Sequence, residues 1–446
     1  MLRELLSPEI RDLVEARDWR TLKEILSEWA PQDIVDLIHN VRENEGDIIF
    51  RLLPRELAAE VFSELDKNEQ KNLLKQISSE HLKEIFLELS PDDRTDFFEE
   101  LPASVTKKLL NLLPPEERKE TMMLLGYPEK SVGRLMTPRF VAIRSNWTVG
   151  QSLEHIRRFA KNAETIDIVY VVDEGWHLLD EISLRDLIIA SPAEKIDNLM
   201  DNEYHSVAAN VDQEIAVEIM KKYNLNVLPV VDSKNILLGV ITVDDVLDVY
   251  EDEVTEDIQK GASVFPFEVS YNTTAVLTMF RKRIIWLLLL AIGGTLTSSV
   301  ISSFEFTLCR VIALASFIPL LIGTGGNIGT QSATLIIRAL VTGDITPRKW
   351  FNVIKKEVAV GLMLGVSLGC VLAVWSYLMK QNLLISLIVG LSVVFISLWA
   401  NIVGSLLPIF LRKLHLDPAV VSSPFISTIL DVSGLLIFFS VATFFL

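Results

Sequence analysis

Four stretches of this chain run for twenty residues or more without a charged side chain: 284–303, 311–337, 358–379 and 381–411. A fifth, 418–446, is interrupted by a single charge, Asp431. Each is long enough to cross about 30 Å of hydrocarbon as a helix. The rest of the chain is built for a different solvent. Residues 271–446 hold 12 Lys+Arg and 5 Asp+Glu, which leaves 30 and 54 for residues 1–270. So acidic a surface argues against nucleic acid as a partner. Cys309 and Cys370, the only cysteines, lie in apolar stretches, so no disulfide scaffold is indicated and the acidic half is expected in a reducing compartment. The start, MLRELLSPEIR, is charged and has no apolar core, so no signal peptide is expected.

Basic residues between the runs set the orientation. Arg281, Lys282, Arg283, Arg348, Lys349, Lys355, Lys356, Arg412 and Lys413 fall on one set of connections, and Arg310 and Lys380 on the other. The first set belongs in the cytoplasm. Five spans then place the acidic domain and the N-terminus inside and Leu446 outside, in a cytoplasmic (inner) membrane. An odd number of spans argues against duplicated halves and in favour of a pore between identical subunits.

A carboxylate inside ILDVSGLLIFF costs roughly 2.5–3.5 kcal/mol on insertion scales unless it meets water, protein or a cation. Asp431 has no basic neighbour in sequence, and Ser423, Ser427 and Gly434 share its helical face. That face can line a wet path, and Pro424 frees a backbone carbonyl one turn earlier. The second run, FIPLLIGTGGNIGTQSATLIIRAL, crowds Pro319, Gly323, Gly325, Gly326 and Gly329 among Thr324, Asn327, Thr330, Gln331, Ser332 and Thr334. Such a helix should face protein or water. Glu357, at the cytoplasmic end of the third run, is open between a solvated boundary carboxylate paired with Lys355 or Lys356 and an ion ligand.

Residues 1–130 carry Leu, Glu and Lys at helical spacing, and LSPDD, LPASV and LPPEE recur every twelve residues at Leu89, Leu101 and Leu113. Proline near each first turn predicts a stack of short helices, a small solenoid. Residues 131–250 alternate strands and helices, and IDIVYVVDEGWHLLDEISLRDLI matches LNVLPVVDSKNILLGVITVDDVL. Each gives strand, Asp-containing turn, strand and an S/T-x-x-D helix start, at Ser183–Asp186 and Thr242–Asp245. The carboxylate of that start caps the helix at a minimum. From Asp244 a helix carries acids at Asp245, Asp248, Glu251, Asp252, Glu253, Glu256 and Asp257, whose mutual repulsion calls for counterions.

The tandem repeat resembles a pair of cystathionine-β-synthase (CBS) modules, which are regulatory and often bind nucleotide, making Thr242 and Asp245 candidate contacts for an adenine nucleotide such as ATP. Asp245 is open between ribose and cation. The first repeat departs from the usual strand, with Asp180, Glu181 and Ile182. Together with PLLIGTGGNIGTQSATLIIRAL, LDPAVVSSPFISTILDVSGLLIF and ITVDDVLDVYEDEVTEDI, the chain resembles the bacterial MgtE family of magnesium transporters over essentially its whole length.

The resemblance implies a multi-domain membrane protein. An α-helical N-terminal solenoid (1–130) precedes an α/β tandem CBS domain (131–250), an amphipathic connecting "plug" helix (251–275) and a five-helix transmembrane domain (276–446). The assembly is a homodimer in the lipid bilayer that passes Mg²⁺, with negative feedback from internal Mg²⁺ on the acidic surfaces. The family's pore positions fall on Asp431, Gly326, Asn327 and the Ser427 carbonyl. Its regulatory ligands fall on Asp245, Asp248, Glu253, Glu256 and Asp257, and further on Asp186, Asp212, Glu214, Glu60, Asp92 and Asp96. Asn224 and Ser423 depart from residues common in the family. Two rivals remain: the same architecture passing Mn²⁺, Co²⁺ or Ni²⁺, and a membrane-anchored nucleotide sensor. Oxygen ligands without His, Cys or Met favour hard ions. No nucleophile, base and metal cluster of catalytic type stands outside the membrane, so no enzyme is expected. His415 reads as a solvated loop residue.

Overall fold

The structure, a computed structural model, describes residues 10, 12–13, 16, 18–41, 43–77, 79–99, 101–267, 274–341, 344–345, 350–380, 382–414 and 423–446. Arg348, Lys349, His415 and the LDPAVVS part of the last membrane motif lie outside these residues. The chain divides into two units, Met1–Glu253 and Val254–Leu446. One helix, Val243–Gly261, begins in the first and ends in the second.

Short helices fill the first part of unit one, from Trp19–Leu26 to Pro115–Leu125. Proline starts them where an amide would be unpaired anyway: Pro31, Pro91 and Pro115 open helices, while Pro54, Pro102 and Pro114 sit at the N-cap. The recurring phrases become the successive helices Pro91–Glu99, Ala103–Leu110 and Pro115–Leu125. Their core is aromatic. Phe62 meets Phe97 edge-on at 5.0 Å and Phe86 meets Phe98 at 5.3 Å, contacts worth about 0.5–1.5 kcal/mol each beyond their burial.

Two three-stranded sheets of identical order follow. Strand β1 (Ala142–Arg144) runs parallel to β2 (Ile168–Val172), which pairs antiparallel with β3 (Leu178–Ser183); β4 (Val207–Ala208), β5 (Val227–Val231) and β6 (Leu237–Thr242) repeat the pattern. The hairpin turns repeat as well. Asp173 Oδ1 accepts from the amides of Gly175 and His177, and Asp232 Oδ1 from those of Lys234 and Ile236. Trp176 and Asn235 then adopt φ of 65° and 64°, and each hairpin donates to the other's turn: Leu178 N to Asn235 O and Leu237 N to Trp176 O, both 2.9 Å. These reciprocal bonds tie the repeats into one pair about an approximate twofold.

Among the strand positions at which the repeats differ, one has a clear structural consequence. Gly239 of β6 leaves no room for a Cβ, which would approach Thr137 O to 2.7 Å. Its counterpart Asp180 is fully buried, and its carboxylate accepts from the amides of Glu181, Asp201 and Asn202. The departure from the usual strand is therefore structural: the aspartate pins the loop that leads to the second repeat.

Among the described residues of unit two, five helices are long and apolar enough to cross a membrane: Val276–Ser303, Ile312–Leu340, Trp350–Met379, Leu383–Lys413 and Ser423–Phe445. At 1.5 Å per residue even the last, shortest one reaches about 34 Å. The fourth is the most buried and the first the least, so the fourth is the hub of this unit. Second and fourth helices meet at glycine: a Cβ on Gly404 would come within 2.4 Å of Gly329 O. Only missing side chains allow such an approach.

Candidate functional site

The second span separates its polar residues by face. Asn327, Gln331 and Thr334 are exposed, together with Gly323 and Arg338, at steps of three and four that keep them on one stripe. Thr324 and Thr330 are intermediate, and Ser332 is buried. An exposed face of amides and hydroxyls on a helix otherwise apolar enough to span a bilayer needs water, ions or a second chain against it.

The opposite constraint acts on the glycines. A Cβ on Gly326 would meet Ser427 Oγ at 3.1 Å, and one on Gly329 would run into Leu430 and Ile426. The glycines thus bring the second span against the fifth, beside Ser427 and one turn from Asp431. Asp431 is half-buried, as are Ser427 and Ser423. Of the expected pore residues, Gly326 and Ser427 are in contact, whereas Asn327 faces out of the single chain. Thr428 Oγ1 donates to Pro424 O at 2.9 Å, while the carbonyl that the proline would leave without an amide, one turn earlier, lies outside the described residues.

In unit one, a second group of acids gathers where the solenoid meets the CBS pair. Asp92 is buried and its Oδ1 has no hydrogen-bond partner. Burial first, then the nearby charges of Asp245, Asp93 and Glu164, hold its carboxyl well above the usual range. Asp245 is pushed up to about 7, by burial and by Asp244 and Asp93, against the lowering bond from Thr242 Oγ1 at 2.6 Å. Burial also raises Glu164, helped by Asp93 and Asp244, and Asp248, helped by Glu64 and Asp252. Arg94, fully buried beside Asp92, spends its guanidinium on Leu89 O and Thr121 Oγ1. The acids here outnumber the two nearby guanidiniums, Arg94 and Arg139.

The other expected ligands are dispersed. Glu60 and Asp96 are exposed. Asp212 caps helix Gln213–Tyr223 through the amide of Glu214, whose own side chain is exposed. Asn224 ends that helix at φ 53°, a left-handed position that asparagine tolerates. Glu253 lies 3.7 Å from Lys130 and accepts from Gln213, and Glu256 lies 2.5 Å from Lys260, so protein groups supply part of the connector's counter-charge; Asp257 is exposed. Among the described residues no three His, Cys, Asp or Glu side chains converge closely enough to hold a bare metal ion.

The two S/T-x-x-D starts part company here. Ser183 and Asp186 cap each other, with Ser183 Oγ donating to Asp186 Oδ2 at 2.7 Å, and Asp186 is exposed at the edge of a cavity of about 380 Å³ that Glu181, Ile182, Ala190 and Asp201 also line. Glu181 is pushed up to about 7 there by burial, Asp180 and Asp201. Thr242 donates to Asp245 in the same way, but that carboxylate lies near Asp92 and Asp93.

Sequence reasoning did not single out Asp93, Glu164, Asp244 or Glu64, because repulsive neighbours brought together by folding leave no local signal. It also left Glu357 between a solvated boundary carboxylate and an ion ligand. The structure instead seats its carboxylate on Ser332, whose hydroxyl donates to it at 2.8 Å. An amide in the middle of an apolar run, Asn401, was the available clue to that contact.

Three family models match the chain: divalent cation transporter over residues 318–441, MgtE intracellular N domain over 29–130, and CBS domain over 132–193 and 196–252. The magnesium transporter MgtE of Thermus thermophilus is 42% identical over 444 residues, covering 99% of this chain and 98% of its own. That of Bacillus subtilis is 36% identical over 328 residues, 74% of this chain and 72% of its own. Among solved structures, the cytosolic domain of the Mg²⁺ channel MgtE in complex with ATP superposes with a TM-score of 0.53 at 40% identity, covering 55% of this chain and all of that one.

Proposed function

Because this chain belongs to the MgtE family of magnesium transporters and is not an enzyme, we propose that two copies form a Mg²⁺ channel importing the ion across the cytoplasmic membrane, closed by internal Mg²⁺. The observation that carries the reading is the stripe Asn327, Gln331 and Thr334, exposed on a membrane helix that glycines press against the helix of Asp431. Paired about a twofold, two such stripes and two Asp431 carboxylates would surround one path. Mg²⁺ keeps its waters reluctantly exchanged and prefers octahedral oxygen. Amides, hydroxyls and the Ser427 carbonyl suit a hydrated ion held through its own water.

Feedback rests on the acids of unit one. Asp92 Oδ1 is buried and unpaired, the neighbouring carboxyls raise one another, and no three of the described acids meet closely: these features fit a cation that neutralises the cluster through its water shell. Mg²⁺ bound there would join the solenoid to the CBS pair, with Asp92, Asp93, Glu164, Asp244 and Asp245 around it and Glu64, Asp248 and Asp252 at the rim. Glu60, Asp96, Asp186, Asp212, Glu214, Glu253, Glu256 and Asp257 are further acids on which the ion can settle as its concentration rises.

For nucleotide, the geometry supports Asp186 over Asp245. Asp186 borders an open cavity, whereas a ribose at Asp245 would have to displace the acid cluster. Planar-bilayer recording with Mg²⁺ as the sole permeant cation tests the central reading. The native chain is expected to carry current that Asp431→Asn lacks, and that falls when Mg²⁺ is added on the side of the acidic unit; equal currents in the two chains would refute it.

A further inference from the structure

Three membrane helices meet at one buried polar point. Ser332 of the second span is 3% exposed and Asn401 of the fourth 2%. Ser332 Oγ donates to Glu357 Oε2 at 2.8 Å, with Asn401 O as a second acceptor at 3.3 Å, and Asn401 Nδ2 donates to the backbone oxygen of Glu357 at 3.0 Å. Glycine makes room for it: a Cβ on Gly361, one turn along the third span from Glu357, would lie 3.1 Å from Asn401 Cβ and 3.2 Å from its Nδ2.

Ser332 and Asn401 are buried and Glu357 is half-buried, and their bonds join three different helices, so the set holds only when all three are in register. The second span feels this most. Ser332 follows Asn327 by five residues, about 140° round the helix. The residue that anchors the span to the third and fourth is thus nearly opposite the one it presents outward. Ile328, next to Asn327, is buried at 5% exposure, so a turn of one residue, about 100°, would replace an amide by an alkyl group on the outer face.

We propose that the junction of Ser332, Glu357 and Asn401 sets the rotation of the second span and thereby keeps the Asn327, Gln331 and Thr334 stripe on the ion path. Glu357 is then a positioning residue, acting through Ser332 rather than on the ion. This rests on the pore reading above.

The test uses the full-length dimer in liposomes with Cys309→Ala and Cys370→Ala, to which Asn327→Cys or Ile328→Cys is added. Each chain is titrated with a membrane-impermeant cationic methanethiosulfonate. With the junction intact, the thiol at 327 is expected to react faster than that at 328. Adding Ser332→Ala or Glu357→Ala should lower the 327-to-328 rate ratio about tenfold, with Glu357→Gln keeping most of it, since its amide oxygen still accepts from Ser332. An unchanged ratio in Ser332→Ala, a substitution small enough to leave the fold intact, overturns the proposal while leaving the pore reading in place. Failure of the thiol at 327 to react in the intact-junction chain removes the pore reading and this inference with it.

Discussion

Acids are treated in opposite ways in the two units. In Met1–Glu253 they crowd: the charges of Asp93 and Asp244 add to burial in raising Asp92, Glu164 and Asp245, and a buried oxygen of Asp92 is left unpaired. In the membrane spans of Val254–Leu446 they are few and kept apart, Asp431 beside hydroxyls and glycine, and Glu357 on one serine. Crowding makes an electrostatic spring that the proposed feedback ion would relax, which suits a sensor with a graded response. Isolation makes a single attractive point among neutral oxygens, which suits passage, because an ion held by many charges would not leave.

The sharpest way to break this contrast is to remove one acid from each unit. Asp431→Ala is expected to lower Mg²⁺ flux about a hundredfold, the equivalent of roughly 3 kcal/mol at bilayer depth. Asp92→Ala should leave maximal flux nearly intact and raise the internal Mg²⁺ needed for half-inhibition by about tenfold. Flux into liposomes followed with an Mg²⁺-sensitive dye, at varied internal Mg²⁺, separates the two. If Asp431→Ala altered only the inhibition, the division of labour would be wrong.

A second contrast lies within unit one, between matching residues of the two repeats. Asp186→Ala is expected to weaken ATP binding about tenfold, the loss of one good hydrogen bond to a ribose. Asp245→Ala should change it by less than about twofold. Isothermal titration in the presence of Mg²⁺ reads both, and the reverse order would restore Asp245 as the nucleotide contact.

Much of the architecture was legible because it depends on local chemistry. Uncharged runs of bilayer length, proline at helix starts and the duplicated Asp-turn each act within a few residues of where they are written. Candidate pore residues were partly legible: glycines and polar groups in the second span indicated contact with protein or water, but only folding sorted Asn327 from Ser332. The acid cluster and the Glu357 junction were not legible. Each joins residues dozens of positions apart or more, Asp92 with Asp245 and Ser332 with Glu357 and Asn401, and nothing local distinguishes such a carboxylate from a solvated one. Asn224 shows the converse, since a residue that departs from the family's common one turned out to close a helix.

Packing gives the third prediction, which confines itself to the membrane unit. Gly404→Ala places a Cβ within 2.4 Å of a backbone oxygen of Gly329, and backbone cannot step aside as a flexible side chain would. A cost of about 1–3 kcal/mol is expected, lowering the melting point of the membrane unit by about 3–8 °C in detergent. The unfolding of the acidic unit should not move. A shift in both would mean that the two melt as one body.

The smallest effect concerns protons and follows from the crowded acids alone. Asp245 titrates near 7 in the folded protein against 3.8 ordinarily, so the folded state binds its proton more tightly than the unfolded one. Stability without divalent ions is therefore greatest below pH 4 as far as this group is concerned and declines as pH rises from about 4 to 7, with Asp92 and Glu164 acting in the same direction. In EDTA the acidic unit is expected to melt a few degrees higher at pH 5.5 than at pH 7.5. Saturating Mg²⁺ should flatten that slope by favouring the ionised cluster, and Asp92→Asn should flatten it without Mg²⁺. A slope of the same size with and without the ion would show that protons and Mg²⁺ act at different places, and the acids between the solenoid and the CBS pair would then have no part in sensing.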